Sequence, residues 1–463
     1  MWECSDEDEW KRLLLPFRKS QVRGNIIIVT TRFPAIARMV KTSDQSIELE
    51  GLDRKEFKKL FLSFVFGTEQ PRPDHIVLLE TGDKILDKLK GNPLAAKTVG
   101  RLLRNRLDLN QWERVLQNKE WESEKGDHNI MPALKLSYDY LPFDLQQCFS
   151  YCALFPKDYK FDSTELIYFW IALDALQPSG QQKPIEDTGL DTLNHLVSYG
   201  FFKKEESYMG RTFYLIHDLL HDLALKVAHE CLSIDRSNVG SLQTGASVRH
   251  LSITYPSWFR KDEDFLSKLK ILKTGLKIGN LQTIMISGNL DECFAHFFGH
   301  LLRKASNLRI LHMPRMSYSS NVKSMLQNLP IFPHLRYLSL GYIGSAEIHL
   351  SSMLSGLYHL KILDLQYCHE RGCRDLLRAI SSLTKLRHIV PNRDWHHSEI
   401  GNVGKLKFLQ ELKEFEINKK SDGFDLKQLG NLVELRQLGI YGLEKIQTKE
   451  EASEAKLRDK NTC

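Results

Sequence analysis

Residues 215 to 224 read LIHDLLHDLA, and the segment HDLLH sets His217 and His221 four residues apart with an acid after the first. On a helix, that spacing stacks two imidazoles one turn apart. Zinc hydrolases use this arrangement when a glutamate between the histidines serves as general base. Two features oppose a metal here. Asp218 is one methylene shorter than that glutamate, and the nearest third ligand, His229, follows without a glycine turn to bring it round. Ile216, Leu219, Leu220, Leu223, Ala224 and Val227 recur at helical spacing, so the segment is an amphipathic helix. His217, Asp218, His221 and Asp222 are expected on its polar face.

Three other stretches carry chemical possibilities. GNPLAAKT, residues 91 to 98, nearly matches the phosphate loop G-x-x-x-x-G-K-[ST], with Ala96 at the second glycine. A phosphate loop needs a preceding strand and a ring of backbone N–H donors. Here the preceding DKILDKLK is helical in pattern and Pro93 lacks an N–H, so the stretch is a helix start with Pro93 in its first turn. CFSYC spaces Cys148 and Cys152 one helical turn apart, not the two-residue gap of a zinc knuckle, so both are expected as packed helix residues. GNIIIVTTR joins an unbroken run, Ile26 to Val29, to Thr30, Thr31 and Arg32. Such a run predicts a parallel strand buried on both faces, and ligands bind at the carboxyl end of strands of that kind.

These segments lie in a chain of 463 residues, long enough for three or four domains. With 42% apolar and 26% charged residues the composition is that of a globular protein. A net charge of +6 is too dilute at this length to indicate nucleic acid, and no basic block concentrates it. The opening MWECSDEDEW is acidic and has no secretion-signal pattern, and no apolar run is long enough to span a bilayer. Eight cysteines without a secretion signal read as reduced thiols in a cytoplasmic setting.

The elements that must position these residues change character along the chain. From Asp53 to about Met131 the apolar spacing is helical; from Leu134 to Ala228 helices alternate with the strand-like FFKKEE and RTFYLIH, as in a winged helix. From Val248 the template L-x-x-L-x-L recurs as VRHLSI, LQTIMI, LRILHM, LRYLSL, LKILDL, LRHIVP, LKEFEI and LRQLGI. The last seven start 23 to 27 residues apart, the period of leucine-rich repeats. Cys368 supplies the repeat's cysteine, and Pro391 interrupts one strand. Each unit cannot bury its own leucines, so the units must stack into a curved solenoid. The charged tail EKIQTKEEASEAKLRDK shows no capping repeat.

Taken in order, GNIIIVTTR, GNPLAAKTVG, CFSYCALFPKDYKF, LIHDLLHDLA and the repeats resemble plant NB-ARC leucine-rich-repeat disease-resistance proteins, the intracellular NLR immune receptors. The resemblance spans essentially the whole chain. It departs at Asn92, where the family has Leu, and at Ile216, where it has Met. It implies a multidomain α/β-plus-α protein: a nucleotide-domain remnant (1–50), a helical ARC segment (51–135), a winged-helix domain (136–240) and leucine-rich repeats (241–463). It also implies an ADP/ATP switch. His217 donates to the β-phosphate of ADP, with Asp218 orienting it. Pro93, with Leu94 beside it, packs on the adenine. Arg32, after Thr30 and Thr31, senses the γ-phosphate of ATP. His221 and Asp222 are structural.

The family's phosphate loop and its strand ending D-D-x-W precede the T-T-R strand, whereas this chain opens Met1-Trp2-Glu3. The expectation is therefore that the phosphate-binding lysine, the Mg²⁺-binding acids and the N-terminal signalling domain lie outside the chain. By itself it would bind nucleotide weakly, would not hydrolyse ATP, and has no catalytic or metal site. Partners implied are a pathogen effector or guarded host protein at the repeats, and copies of itself on activation. The alternative is a nucleotide-independent decoy or adaptor working through the repeats.

Overall fold

A computed structural model describes residues 10–11, 14–15, 27–31, 34–41, 47–69, 71–122, 130–177, 183–208, 210–235, 248–254, 263–288, 292–315, 332–341, 354, 356–366, 368, 379–391, 400–418 and 422–460. Residues 27–31 run without strand pairing, and Ile28 is 85% exposed. This corrects the expectation of a buried parallel strand. Such a strand satisfies its backbone through neighbours on each edge, and among the described residues none lies beside this one. A short helix, α1 (Pro34–Val40), follows.

Four helices then form a compact unit: α2 (Arg54–Phe66), α3 (Ile76–Lys88), α4 (Pro93–Arg104) and α5 (Leu109–Leu116). Asp53, Asn92 and Asp108 cap three of them by accepting backbone N–H bonds, which the first turn cannot satisfy internally. Phe57, Phe61, Val65, Leu86, Val99, Leu103 and Trp112 interdigitate at their centre. Gly100 lets α4 approach α2, since a Cβ there would stand 2.9 Å from the Phe64 Cβ.

The next unit packs α6 (Met131–Asp139), α7 (Phe143–Ser150), α8 (Ser163–Ala172), α9 (Ile185–Ser198), the hairpin β1 (Lys203–Glu206) with β2 (Thr212–Leu215), and α10 (Asp218–Val227). Every residue of α8 from Leu166 to Ala172 is buried. A helix apolar on all sides needs cover on all sides, and this unit supplies only part of it. Cys148 and Cys152 are buried in that packing, and the Trp170 indole N–H donates to the Cys148 carbonyl at 3.0 Å. Burial pushes both thiols up, so they stay protonated.

The remainder is a solenoid. Seven parallel strands run in sequence order: β3 (Cys231–Ile234), β4 (His250–Thr254), β5 (Thr283–Ser287), β6 (Ile310–Arg315), β7 (Tyr337–Ser339), β8 (Ile362–Asp364) and β9 (His388–Val390). The first lies ahead of the repeats counted from Val248, so the sheet begins inside the segment expected to be winged helix. Helices α11 (Glu263–Gly275) and α12 (Glu292–Lys304) back it. Pro391 follows β9 directly without preventing its pairing to β8. A further parallel pair, β10 (Glu411–Glu416) and β11 (Gln437–Tyr441), flanks the one-turn α13 (Lys427–Gly430).

Template leucines such as Leu281, Leu308, Leu335, Leu360 and Leu386 are wholly buried in one continuous core. The Cys368 thiol donates to the carbonyls of Leu340 and Gly341. The tail is not an uncovered end, as its charge suggested. After α14 (Lys449–Ser453), Ala455 joins the core and the buried Lys460 ammonium donates to the carbonyls of Leu429 and Leu432 at 2.6 and 2.8 Å. The Lys460 ammonium thus satisfies backbone carbonyls of the turn that holds Leu429 and Leu432.

Candidate functional site

His217 is the N-cap of α10. Its Nδ1 accepts from the Leu219 N–H at 3.2 Å, so in the neutral ring the proton sits on Nε2, and the imidazole is exposed. A helix N-terminus also presents unsatisfied N–H groups and positive potential, which suit an anion. Asp218 opens the helix beside it.

His221 departs from the expected polar face. It is 5% exposed, and its Nε2 donates to the Phe155 carbonyl at 2.7 Å. Burial depresses its pKa, opposed by that hydrogen bond, so the ring is neutral. The loop carrying Phe155 folds over this turn of α10, which a wheel drawn from α10 alone cannot show. Asp222 pairs with Lys157 at 2.9 Å, a second tie to the same loop. His217 caps the helix while His221 turns inward to a carbonyl, so the two rings do not converge on one metal position.

Pro93 is the first residue of α4. Gly91, at φ +73°, makes the turn before it, and the Asn92 side chain accepts from the N–H groups of Leu94 and Ala95. Leu94 packs against the core that holds Ile216 and Leu220, so the α4 start and the His217 segment share one cluster. Arg101 adds a link by donating to the Val197 carbonyl at 2.7 Å. Thr30 is exposed and Thr31 half-buried in a stretch outside any strand; Arg32 lies outside the described residues.

The largest arrangement was not legible as a site in the sequence. The inward faces of β5 to β8 contribute Met285, Ile310, Tyr337 and Ile362 to the same core as Tyr168, Phe169 and Ile171 of α8. The concave face of the solenoid is thus the missing cover of the all-apolar helix. Tyr168 stacks on His388 with ring centroids 4.1 Å apart, and its hydroxyl bonds Nδ1 at 2.8 Å. His388 Nε2 donates to Glu186 at 2.9 Å, and Arg387 meets the same carboxylate at 3.0 Å. Burial alone would raise the Glu186 pKa, but the His388 bond and the Arg387 charge bring it to about 2. His312 is buried with neither ring nitrogen hydrogen-bonded among the described residues, and desolvation lowers its pKa to about 3. Its ring lies along Tyr337 and meets Phe155 edge-on.

At the rim, Asp174 sits in a left-handed turn after α8, at φ 56°. Its carboxylate bonds Arg336 and lies 3.6 Å from both Arg309 and Lys361. Those cations bring its pKa down against the upward pull of burial. Arg336 also reaches the Ala172 carbonyl at the end of α8, and Asp187 pairs with Arg436 at 3.0 Å. The signal was present in LRILHM, LRYLSL, LKILDL, LRHIVP and LRQLGI, each with a cation after the first leucine.

The order of the winged-helix unit and the repeats agrees with two family models. Residues 154–224 match the model of the disease resistance protein winged helix domain, and residues 287–459 that of a leucine-rich repeat region. Disease resistance protein RGA2 of Solanum bulbocastanum is 30% identical over 455 residues, covering 98% of this chain and 42% of that protein. The chain thus carries a disease-resistance winged-helix domain and a leucine-rich repeat region, and is similar to plant disease-resistance proteins over most of its length. RGA1 of the same species is 31% identical over 336 residues, 72% of this chain and 30% of RGA1. Disease resistance RPP13-like protein 4 of Arabidopsis thaliana is 25% identical over 439 residues, 93% of this chain and 49% of that protein. The chain therefore spans less than half the length of these relatives. Among the described residues no helix is long and apolar enough to cross a membrane.

Proposed function

We propose that this disease-resistance chain is the control portion of a cytoplasmic, ADP/ATP-dependent defence switch, held off by its own repeats. The observation that carries this reading is the burial of α8 in the concave face of the solenoid, latched by Asp174, Glu186 and Asp187. A ligand that engages that face must compete with the winged helix. The winged helix also carries His217, so repeat occupancy and nucleotide contact are mechanically linked. In the closed state His217 Nε2–H donates to the β-phosphate of ADP at the α10 N-terminus. Asp218 keeps the ring oriented, and Pro93 and Leu94 line the adenine. Arg32 senses the γ-phosphate of ATP, with Thr30 and Thr31 as further nucleotide-binding residues. Mg²⁺ belongs to the ATP state, and self-association follows opening.

The test uses the chain joined to the phosphate-loop segment of a relative and expressed in leaves. A charge-assisted bond to phosphate contributes about 1.5–3 kcal/mol, roughly ten- to a hundredfold in population if only the closed state makes it. Asp218→Val is therefore expected to cause cell death without an effector. Silence at normal protein abundance would overturn the reading. It would favour a nucleotide-independent adaptor or decoy.

A further inference from the structure

We propose that the concave groove, once the winged helix leaves it, receives a carboxylate-bearing amphipathic helix of a partner protein, with a continuous row of cations as its recognition rail. This deepens the switch reading above and rests on its closed state.

The row is built by the solenoid backbone. Arg336 N–H donates to the Arg309 carbonyl, Lys361 N–H to that of Arg336, and Arg387 N–H to that of Lys361, at 2.7, 2.8 and 2.8 Å. The row continues through Gln410 to Arg436 by the same bonds, at 2.9 and 2.8 Å. Adjacent parallel strands lie about 4.8 Å apart, so the four consecutive cations form a file of like charge. Three carboxylates, Asp174, Glu186 and Asp187, meet these five cations, and Asp174 alone serves three of them. Among the described residues the file is under-neutralised even when closed, and crowding by Arg336 adds to burial in lowering the Lys361 pKa.

Opening would leave a positive rim along an apolar floor of Met285, Ile310, Tyr337 and Ile362. Both features select the occupant. The floor needs an apolar ridge to displace water, and the rim needs carboxylates to replace those that left. The present occupant is the template: an apolar helix, α8, followed by Asp174, Glu186 and Asp187. Single-stranded RNA also fits the charge. The rings of His312, Tyr337 and His388 stand on three strands of that face. Nucleic-acid grooves stack successive bases on such rings, so oligouridine is the control that decides against RNA.

The probe is a labelled synthetic peptide with this chain's residues 162–187, beside one carrying Asp174→Asn, Glu186→Gln and Asp187→Asn. The proteins are the full chain and its Asp174→Lys/Asp187→Lys variant, which sets like charges against the row at two half-exposed positions. Hydrogen exchange of residues 337–339 and 362–364 reads opening, and fluorescence anisotropy reads binding. The expected result is faster exchange in the variant and peptide binding at least tenfold tighter than to the unmodified chain. The neutralised peptide is expected to bind at least tenfold more weakly, and high salt to remove that difference. Equal binding of both peptides to an opened variant would sink the proposal and leave the switch reading standing. So would tighter binding of oligouridine. Unchanged exchange would overturn the closed-state reading and this proposal with it. Should the double variant fail to fold, Asp174→Lys alone carries the same measurements.

Discussion

Two apolar runs in this chain meet opposite fates. Ile27, Ile28 and Val29 are 47%, 85% and 36% exposed, while every residue from Leu166 to Leu173 is 7% exposed or less. Their compositions alone predict burial for both. The difference lies in what the rest of the chain brings to them. The solenoid's concave face reaches α8 across more than a hundred residues of sequence, and among the described residues no strand comes beside residues 27–31. Hydrophobicity states a demand for cover; topology decides whether cover arrives.

Breaking the buried member should give the largest effect. Trp170→Ala removes a side chain with no exposure and the indole bond to the Cys148 carbonyl, so a loss of about 3–5 kcal/mol is expected in chemical denaturation. The matching change at the exposed member, Ile28→Ser, should stay within about 0.5 kcal/mol. Equal losses would show that the two runs share one environment.

Glu186→Gln comes next. It leaves the half-buried Arg387 without its counter-charge and the buried His388 without its carboxylate acceptor, which costs about 3 kcal/mol in comparable pairs. Calorimetric melting of the full chain would show the solenoid and winged helix losing their common transition. A single unshifted transition would mean that the latch carries no stability.

Acid should loosen the same interface in two stages. His250 and His312 are held near pKa 4 and 3 by burial, below the ordinary 6.5. In the folded chain they bind fewer protons than when unfolded, so the stability of their neutral forms is full above pH 6.5 and falls as pH drops toward 4 and 3. Glu186, lowered from 4.5 to about 2, contributes stability present above pH 4.5 and lost between there and 2. Melting temperature should therefore decline already between pH 6.5 and 5, before carboxylates titrate. His312→Leu should flatten that part of the profile with little cost at pH 7, because among the described residues the ring makes no hydrogen bond, the Glu165 carboxylate standing 3.5 Å from Nε2. A profile unchanged by the substitution would remove His312 from the account.

The smallest effect belongs to Asp174→Ala. The side chain is 51% exposed, so solvent screens its three cations and a loss of about 0–1 kcal/mol is expected, vanishing in high salt. A salt-independent loss larger than this would mean the rim pair is effectively dry.

How much was legible follows from the range of each interaction. Helix caps at Asp53, Asn92 and Asp108, the α10 stripe and the repeat leucines depend on residues within one turn or one period, and all stand in the sequence. The inward turn of His221 depends on Phe155, 66 positions earlier, and the tail's cap depends on where Lys460 meets Leu429 and Leu432. Neither partner is marked by spacing. The cations of the repeat rim were visible as letters, yet their purpose was not, because Arg336 meets Asp174 across 162 positions and Arg387 meets Glu186 across 201.

The sequence by itself determined the kinds of unit, their order and the caps of the helix starts, because periodicity and capping are local chemistry. Only the tertiary structure decided that the repeat face is already filled by α8 and that His312 is dry. It also decided that three acids of the winged helix face five cations of the solenoid. Those outcomes come from bringing distant surfaces together, where desolvation and charge pairing act between residues that no local pattern connects.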